Sequence, residues 1–261
     1  MPSYPRIVTT SWDDGDPRDL RVAELLTARG LKGTFYIPNA GHHGAKPMAP
    51  AEVRSLRSGG FEIGTHGVSH RVLTELSPPE LAREVRICKT WLEDTLSEPV
   101  QMFCYPKGRF NKSVVQHVKE AGYKGARTTR MLRQDVVFDP FQMPTSLFAY
   151  PNSRMLYTRN LIKGWNVRGL FDYVSQFIRL DGWVSIGKIL FDRVVSQGGV
   201  WHLYGHSWEI EKLGLWDELE KILDYVSGRV GVLYASNVDV LELQTQPRPG
   251  IEKRASGTLR L

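Results

Sequence analysis

The 261-residue sequence is poor in cysteine and has no long apolar run, no block of like charge and no internal repeat. Its two cysteines, Cys88 and Cys104, supply neither a disulfide framework nor the paired spacing of a structural zinc site. No window approaches the roughly 18 consecutive apolar residues of a membrane span. The opening "MPSYPRIVTTSW" lacks the basic region and apolar core of a secretory leader. These absences lead to the expectation of a soluble, cytoplasmic protein. The net charge of +6 is diffuse, with one basic cluster near the end, "PRPGIEKRASGTLRL". It reads as a solvated surface and a flexible tail over 243–261, not as a nucleic-acid patch.

Strand-like and helix-like stretches alternate along the rest. Strands are expected at Ile7–Trp12, Gly33–Pro38, Phe61–His66, Val100–Tyr105, Tyr123–Arg127, "VWHLYGH" and Val230–Ala235. Helices are expected at Pro17–Arg29, Ala51–Arg57, Pro79–Leu96, Lys112–Ala121, Val167–Ile178, Ser185–Ser196 and Leu215–Ser227, with a short last one from Asn237. Residues 128–165 show no clean period. The alternation indicates parallel βαβ units in one domain spanning 1–242, as a doubly wound sheet or a (β/α) barrel. In either fold, chemistry collects at the C-terminal ends of strands.

Residues of catalytic type do fall there. Asp13 and Asp14 close the first expected strand, His66 and His70 follow the third, and His206 ends "VWHLYGH". Two imidazoles four residues apart share a face of a helical turn and can chelate one cation; one carboxylate from another strand completes a three-ligand catalytic centre. Neighbouring strand residues point oppositely, so Asp13 and Asp14 are expected to divide the work, one binding metal and one facing water. His42 and His43 read as loop residues, and Trp165, Trp201, Trp208 and Trp216 as core or a sugar platform, Trp208 being the best placed.

"TTSWDDGD", "THGVSH", "FCYPKG" and "WHLYGHSWE" together resemble the motifs of NodB-type polysaccharide deacetylases, carbohydrate esterase family 4. The resemblance implies a distorted (β/α)7 TIM-like barrel that removes N-acetyl groups from an amino-sugar glycan (an oligosaccharide, polysaccharide precursor or lipid-linked sugar). It implies metal-activated water, with Zn2+ or another divalent ion such as Co2+ or Ni2+. Carried over, it makes Asp13 the base, His206 the acid, and Asp14, His66 and His70 the ligands. It places the Lys107 backbone N–H near the oxyanion, with Tyr105, Trp208, Asp181, Trp183 and His202 as lesser candidates. The same fold acting on a formamide or cyclic amide, or a non-catalytic glycan-binding remnant, are the alternatives. The chain also departs from the pattern. Gly67 stands where a hydroxyl residue is usual, the fourth motif survives only as "LDGW", and Cys104 occupies the place of an arginine that pairs with the base. Asp13 therefore needs another cation, for which Arg109 is a candidate.

Overall fold

The structure, a computed structural model, describes residues 4–41, 46–180 and 182–245. Strand β1 (Arg6–Asp13) is its axis. It pairs in parallel with β7 (Gly199–Gly205) along nearly its whole length, from Arg6↔Gly199 to Trp12↔Gly205. On its other edge the end of β1 pairs with β2 (Thr34–Ile37) and its beginning with β8 (Leu233–Tyr234). The sheet continues through β3 (Glu62–Thr65) and β4 (Met102–Cys104) to β5 (Gly125–Arg127), and beyond β7 to β6 (Leu147–Phe148), all parallel. Helices α1 (Asp19–Thr27), α2 (Pro50–Ser58), α3 (Pro78–Leu96) and α4 (Lys112–Glu120) form the crossovers of the first half. The second half carries α5 (Arg154–Lys163), α6 (Val167–Ser175), α7 (Gly182–Gln197), α8 (Ser207–Leu213), α9 (Trp216–Val226) and α10 (Asn237–Thr245).

The illegible stretch after β5 closes the barrel. Ala126, Thr128, Arg130, Leu132 and Arg133 exchange backbone hydrogen bonds with Met143, Thr145 and Ser146, and the Ser146 N–H donates to the His202 carbonyl of β7. Its prolines and missing ladder bonds explain why no period marks it as a strand. Helix α5 and strand β6 inside 128–165, and α8 after His206, are additions to the expected elements. The helix expected over Val167–Ile178 ends at Ser175 and continues as a 3-10 turn, Phe177–Arg179. The last helix reaches Thr245, three residues into the expected tail; residues 246–261 lie outside the described residues.

Strand parity sorts the core. Val8, Trp12, Phe35, Phe103, Trp201 and Leu203 face outward and join the helices in the main apolar cluster. On α3 the stripe Leu81, Val85, Cys88 and Leu92 meets them, after a start at Ser77 whose N–H and hydroxyl both donate to Glu80. Above Ile7, the inward residues of β1 are polar and are paired in layers. Thr9 Oγ1 donates to Asn237 Oδ1 at 2.9 Å, Ser11 Oγ stands 2.9 Å from His202 Nε2, and Asp13 meets Arg127. This stack of paired polar groups leads up to the C-terminal mouth.

Candidate active site

At that mouth β1 ends in Asp13 and the chain turns. Asp14 has φ 78° and Gly15 φ 58°. A Cβ at Gly15 would also lie 2.9 Å from Ile37 Cγ2, so only glycine fits the turn. Asp14 is therefore not a strand residue, and pleat alternation is not what separates the two acids. The left-handed turn swings Asp14 beside Asp13 at the same opening, a conformation that costs of order 1–3 kcal/mol for a non-glycine residue.

The "HGVSH" loop departs from the helical turn expected of it. Gly67 and His70 take φ 77° and 54°, bringing the His66 and His70 rings to 4.7 Å between centroids. Glu84, on the buried side of α3, holds the loop. Its Oε2 accepts from Val68 N at 2.8 Å and Ser69 N at 3.0 Å, and Oε1 accepts from the Ser69 hydroxyl. A Cβ at Gly67 would lie 3.3 Å from that carboxylate. The hydroxyl absent at Gly67 is thus answered by Ser69 and Glu84.

Asp14 Oδ1 lies 3.6 Å from His66 Nε2 and 3.3 Å from His70 Nε2. Tetrahedral coordination with bonds of about 2.0–2.2 Å places neighbouring ligand atoms about 3.3–3.6 Å apart, so this donor set fits a divalent cation. His66 Nδ1 lies 2.9 Å from the Cys104 carbonyl, which can only accept, so Nδ1 carries the hydrogen and Nε2 its lone pair. Trp208 Nε1 donates to the other Asp14 oxygen at 2.9 Å. Asp13, His66 and Cys104 also converge within 4.8 Å. That set is the poorer one, because burial pushes the Cys104 thiol well up and Arg127 engages both Asp13 oxygens.

Arg127 is the cation that Cys104 left missing. Cys104 and Arg127 are register partners on β4 and β5, so the guanidinium enters the barrel one strand over at the same level. It is fully buried, ion-paired with Asp13 and flanked by the faces of Tyr204 and Tyr36, 4.7 and 5.4 Å from the ring centroids. Burial opposes ionisation of Asp13, but Arg127, then His66 and His206, outweigh it and hold the carboxyl at about 2. Arg109, the expected substitute, is instead at the surface with Glu75 at 3.1 Å.

His206, just past β7, places Nε2 3.9 Å from Asp13 and 3.7 Å from Asp14. Its Nδ1–H donates to Glu209 Oε2 at 2.6 Å. Burial would lower its pKa; the Glu209 bond and the charges of Asp14 and Asp13 raise it to about 9. His202 sits four residues deeper, buried, with Nδ1 3.1 Å from the Pro144 carbonyl and Nε2 toward Ser11. Burial and Arg127 push it down to about 3, a neutral packing histidine.

A cleft of about 810 Å3 opens over these groups. Tyr105, Lys107 and Trp208 line it, Lys107 at φ 56° on its rim. Trp183 does not: it is buried in the main core on α7, while Asp181 lies outside the described residues, as do His42 and His43. The carboxylate bonded to His206 comes from "HSWE". Trp201 and Trp216 are core residues. Arg127, Glu84 and Glu209 are the groups sequence reasoning missed. Glu84 left a trace, a carboxylate on an otherwise apolar helix stripe.

Residues 2–126 match the family model described as polysaccharide deacetylase. Among curated proteins the chain is similar to a peptidoglycan-N-acetylglucosamine deacetylase of Bacillus cereus, 29% identical over 126 residues, 48% of this chain and 57% of that protein. The chain spans about half the length of the curated relatives it matches. Among solved structures it is similar to the Xyl-CE4 domain of a multidomain xylanase from the hindgut metagenome of Trinervitermes trinervoides. That similarity has a TM-score of 0.58 and 11% identity, covering 94% of this chain and 93% of that one. It is also similar to a family 4 carbohydrate esterase from Streptomyces lividans, with a TM-score of 0.52 and 14% identity over 89% and 91% of the two chains. These structures share the curled parallel (β/α)7 barrel. With that barrel around its paired acids and imidazoles, the chain is similar to the NodB-type polysaccharide deacetylases, in sequence over residues 2–126 and in fold over nearly its whole length.

Proposed function

We propose that the chain hydrolyses the N-acetyl group of an amino-sugar glycan, and that Asp14, His66 and His70 hold a divalent cation, Zn2+ or one of similar size. When bound, such an ion supplies Lewis-acid stabilisation and lowers the pKa of water. The chain's own groups supply the proton transfers. Asp13, kept ionised by Arg127, accepts a proton from the attacking water. His206, kept protonated by Glu209, gives one to the leaving amine. The Lys107 backbone N–H, on the cleft rim, is the candidate donor to the developing oxyanion.

The observation that carries this reading is the arrangement in one cleft of Asp13, paired with the buried Arg127, and His206, bonded to Glu209, beside the three-donor set of Asp14, His66 and His70. The test is acetate release from N-acetylglucosamine oligomers by Zn2+- or Co2+-loaded protein, with formylated oligomers in parallel. Activity lost in Asp13→Asn with metal retained is expected. No release from any of these substrates would remove the reading.

A further inference from the structure

The hairpin of α5 and α6 is built with its apolar residues turned outward. Tyr157, Leu161 and Tyr173 pack inward, the two tyrosine rings stacking at 4.9 Å. Facing solvent are Met155 (80% exposed), Trp165 (87%), Val167 (75%) and Phe171 (71%), with Leu156, Ile162 and Val174 beside them. On α6 the outward residues Val167, Phe171 and Val174 follow helical spacing, an apolar stripe on the solvent side. Trp165 sits at the tip in the left-handed region, φ 50°, which is a strained conformation for a bulky residue. Scattered exposed apolar residues need no explanation, but a contiguous patch of this kind marks an interaction surface.

Its charge identifies the occupant. Residues 153–179 contain five cations, Arg154, Arg159, Lys163, Arg168 and Arg179, and one acid, Asp172, which Arg193 already pairs at 2.6 Å. A second copy of this face would meet it with like charge around a two-fold axis. The tail 246–261, itself basic, is no better match. Basic residues interleaved with exposed aromatic and aliphatic ones suit a bilayer surface with anionic headgroups. No described helix is long and apolar enough to cross a membrane, so such a contact would be interfacial. Leu156, Arg159, Asn160 and Lys163 also line the active-site cleft, so the face continues into its mouth.

We infer that the α5–α6 hairpin docks the protein on an anionic membrane surface, with the cleft opening at the headgroup layer. This does not depend on the hydrolytic reading, and its test reads binding alone. The full chain is floated with phosphatidylcholine vesicles with and without phosphatidylglycerol. Binding to the anionic vesicles, weakened by salt, is expected. Trp165→Ala/Phe171→Ala and Arg154→Glu/Arg168→Glu should each reduce partition by about tenfold. Val230→Ser is the control, because Val230 is fully exposed just ahead of β8, at the opposite end of the barrel. Circular dichroism verifies that each variant is folded. Absence of binding by the wild-type chain, equal loss in the Val230 control, or a concentration-dependent dimer abolished by the hairpin substitutions would each overturn the inference.

Discussion

Arg127 Nη2 donates to both carboxylate oxygens of Asp13, spanning the barrel from β5 to β1. The pair is buried on both sides, so neither charge is replaceable by water. Arg127→Met leaves an unpaired buried carboxylate, a change that costs about 3–5 kcal/mol. It also removes the cation that lowers the Asp13 pKa, so the acid limb of kcat/KM should move to higher pH. Because Cys104 is the register partner of Arg127, Cys104→Arg/Arg127→Ala returns a guanidinium to the same level of the barrel. Thermal melts and pH–rate profiles should show the double variant recovering part of what Arg127→Ala loses. A double variant no better than the single one would mean that the strand position of the arginine is itself required.

Glu209 tests the opposite limb. His206 must carry its proton to act as an acid, and its pKa is raised to about 9 by Glu209, Asp14 and Asp13 against burial. Glu209→Gln keeps the side-chain shape but removes one negative charge 2.6 Å from Nδ1. The pKa then falls, and the alkaline limb of kcat/KM moves to lower pH while the acid limb stays with Asp13. An alkaline limb unchanged in Glu209→Gln would show that His206 is not the group whose proton is lost there.

Metal affinity separates ligand from support. His70→Ala removes one of three donors and should abolish stoichiometric Zn2+ binding in calorimetry, whereas Asp13→Asn should retain it. Glu84 contacts the loop backbone between the two histidines, so Glu84→Ala should weaken Zn2+ binding by about 10–100-fold without changing the ligand atoms. Wild-type affinity in Glu84→Ala would mean that Gly67 and His70 keep their positive φ without that carboxylate.

What the sequence made legible follows from what each residue's role depends on. Asp13, Asp14, His66, His70 and His206 stand out as candidates because such residue types fall at strand ends, and the structure brings them together at one mouth. Their geometry was not legible, since the left-handed turns at Asp14 and His70 leave no mark in spacing. Arg127 acts through cross-strand register with Cys104, which local pattern does not encode; the cation that local pattern offers is Arg109, two residues past Lys107. Helix α5 escaped for a different reason. Periodicity reports burial, and α5 has Tyr157 and Leu161 inside but Met155 and Ile162 outside, so its apolar residues lie on both faces.

The far end of the barrel carries a half-buried carboxyl with a pH signature of its own. Glu62 Oε2, at the start of β3, accepts from Thr34 Oγ1 at 2.6 Å and from Val238 N at 3.0 Å, tying β2 and α10 together. Burial outweighs these bonds and raises its pKa from 4.5 to about 7. A carboxyl with a raised folded pKa binds its proton more tightly in the native state. Its contribution is therefore full below pH 4.5 and is lost as pH rises through about 7, a change of at most about 3 kcal/mol. His202, depressed to about 3, works with opposite sign, losing stability as pH falls below the ordinary histidine value. The informative quantity is thus the difference between two urea-denaturation series. Glu62→Gln keeps an acceptor for Thr34 and Val238 but does not titrate, so its stability relative to wild type should rise steadily between pH 4.5 and 7. A constant difference across that range would mean that Glu62 titrates normally and that its burial is relieved by water reaching β3.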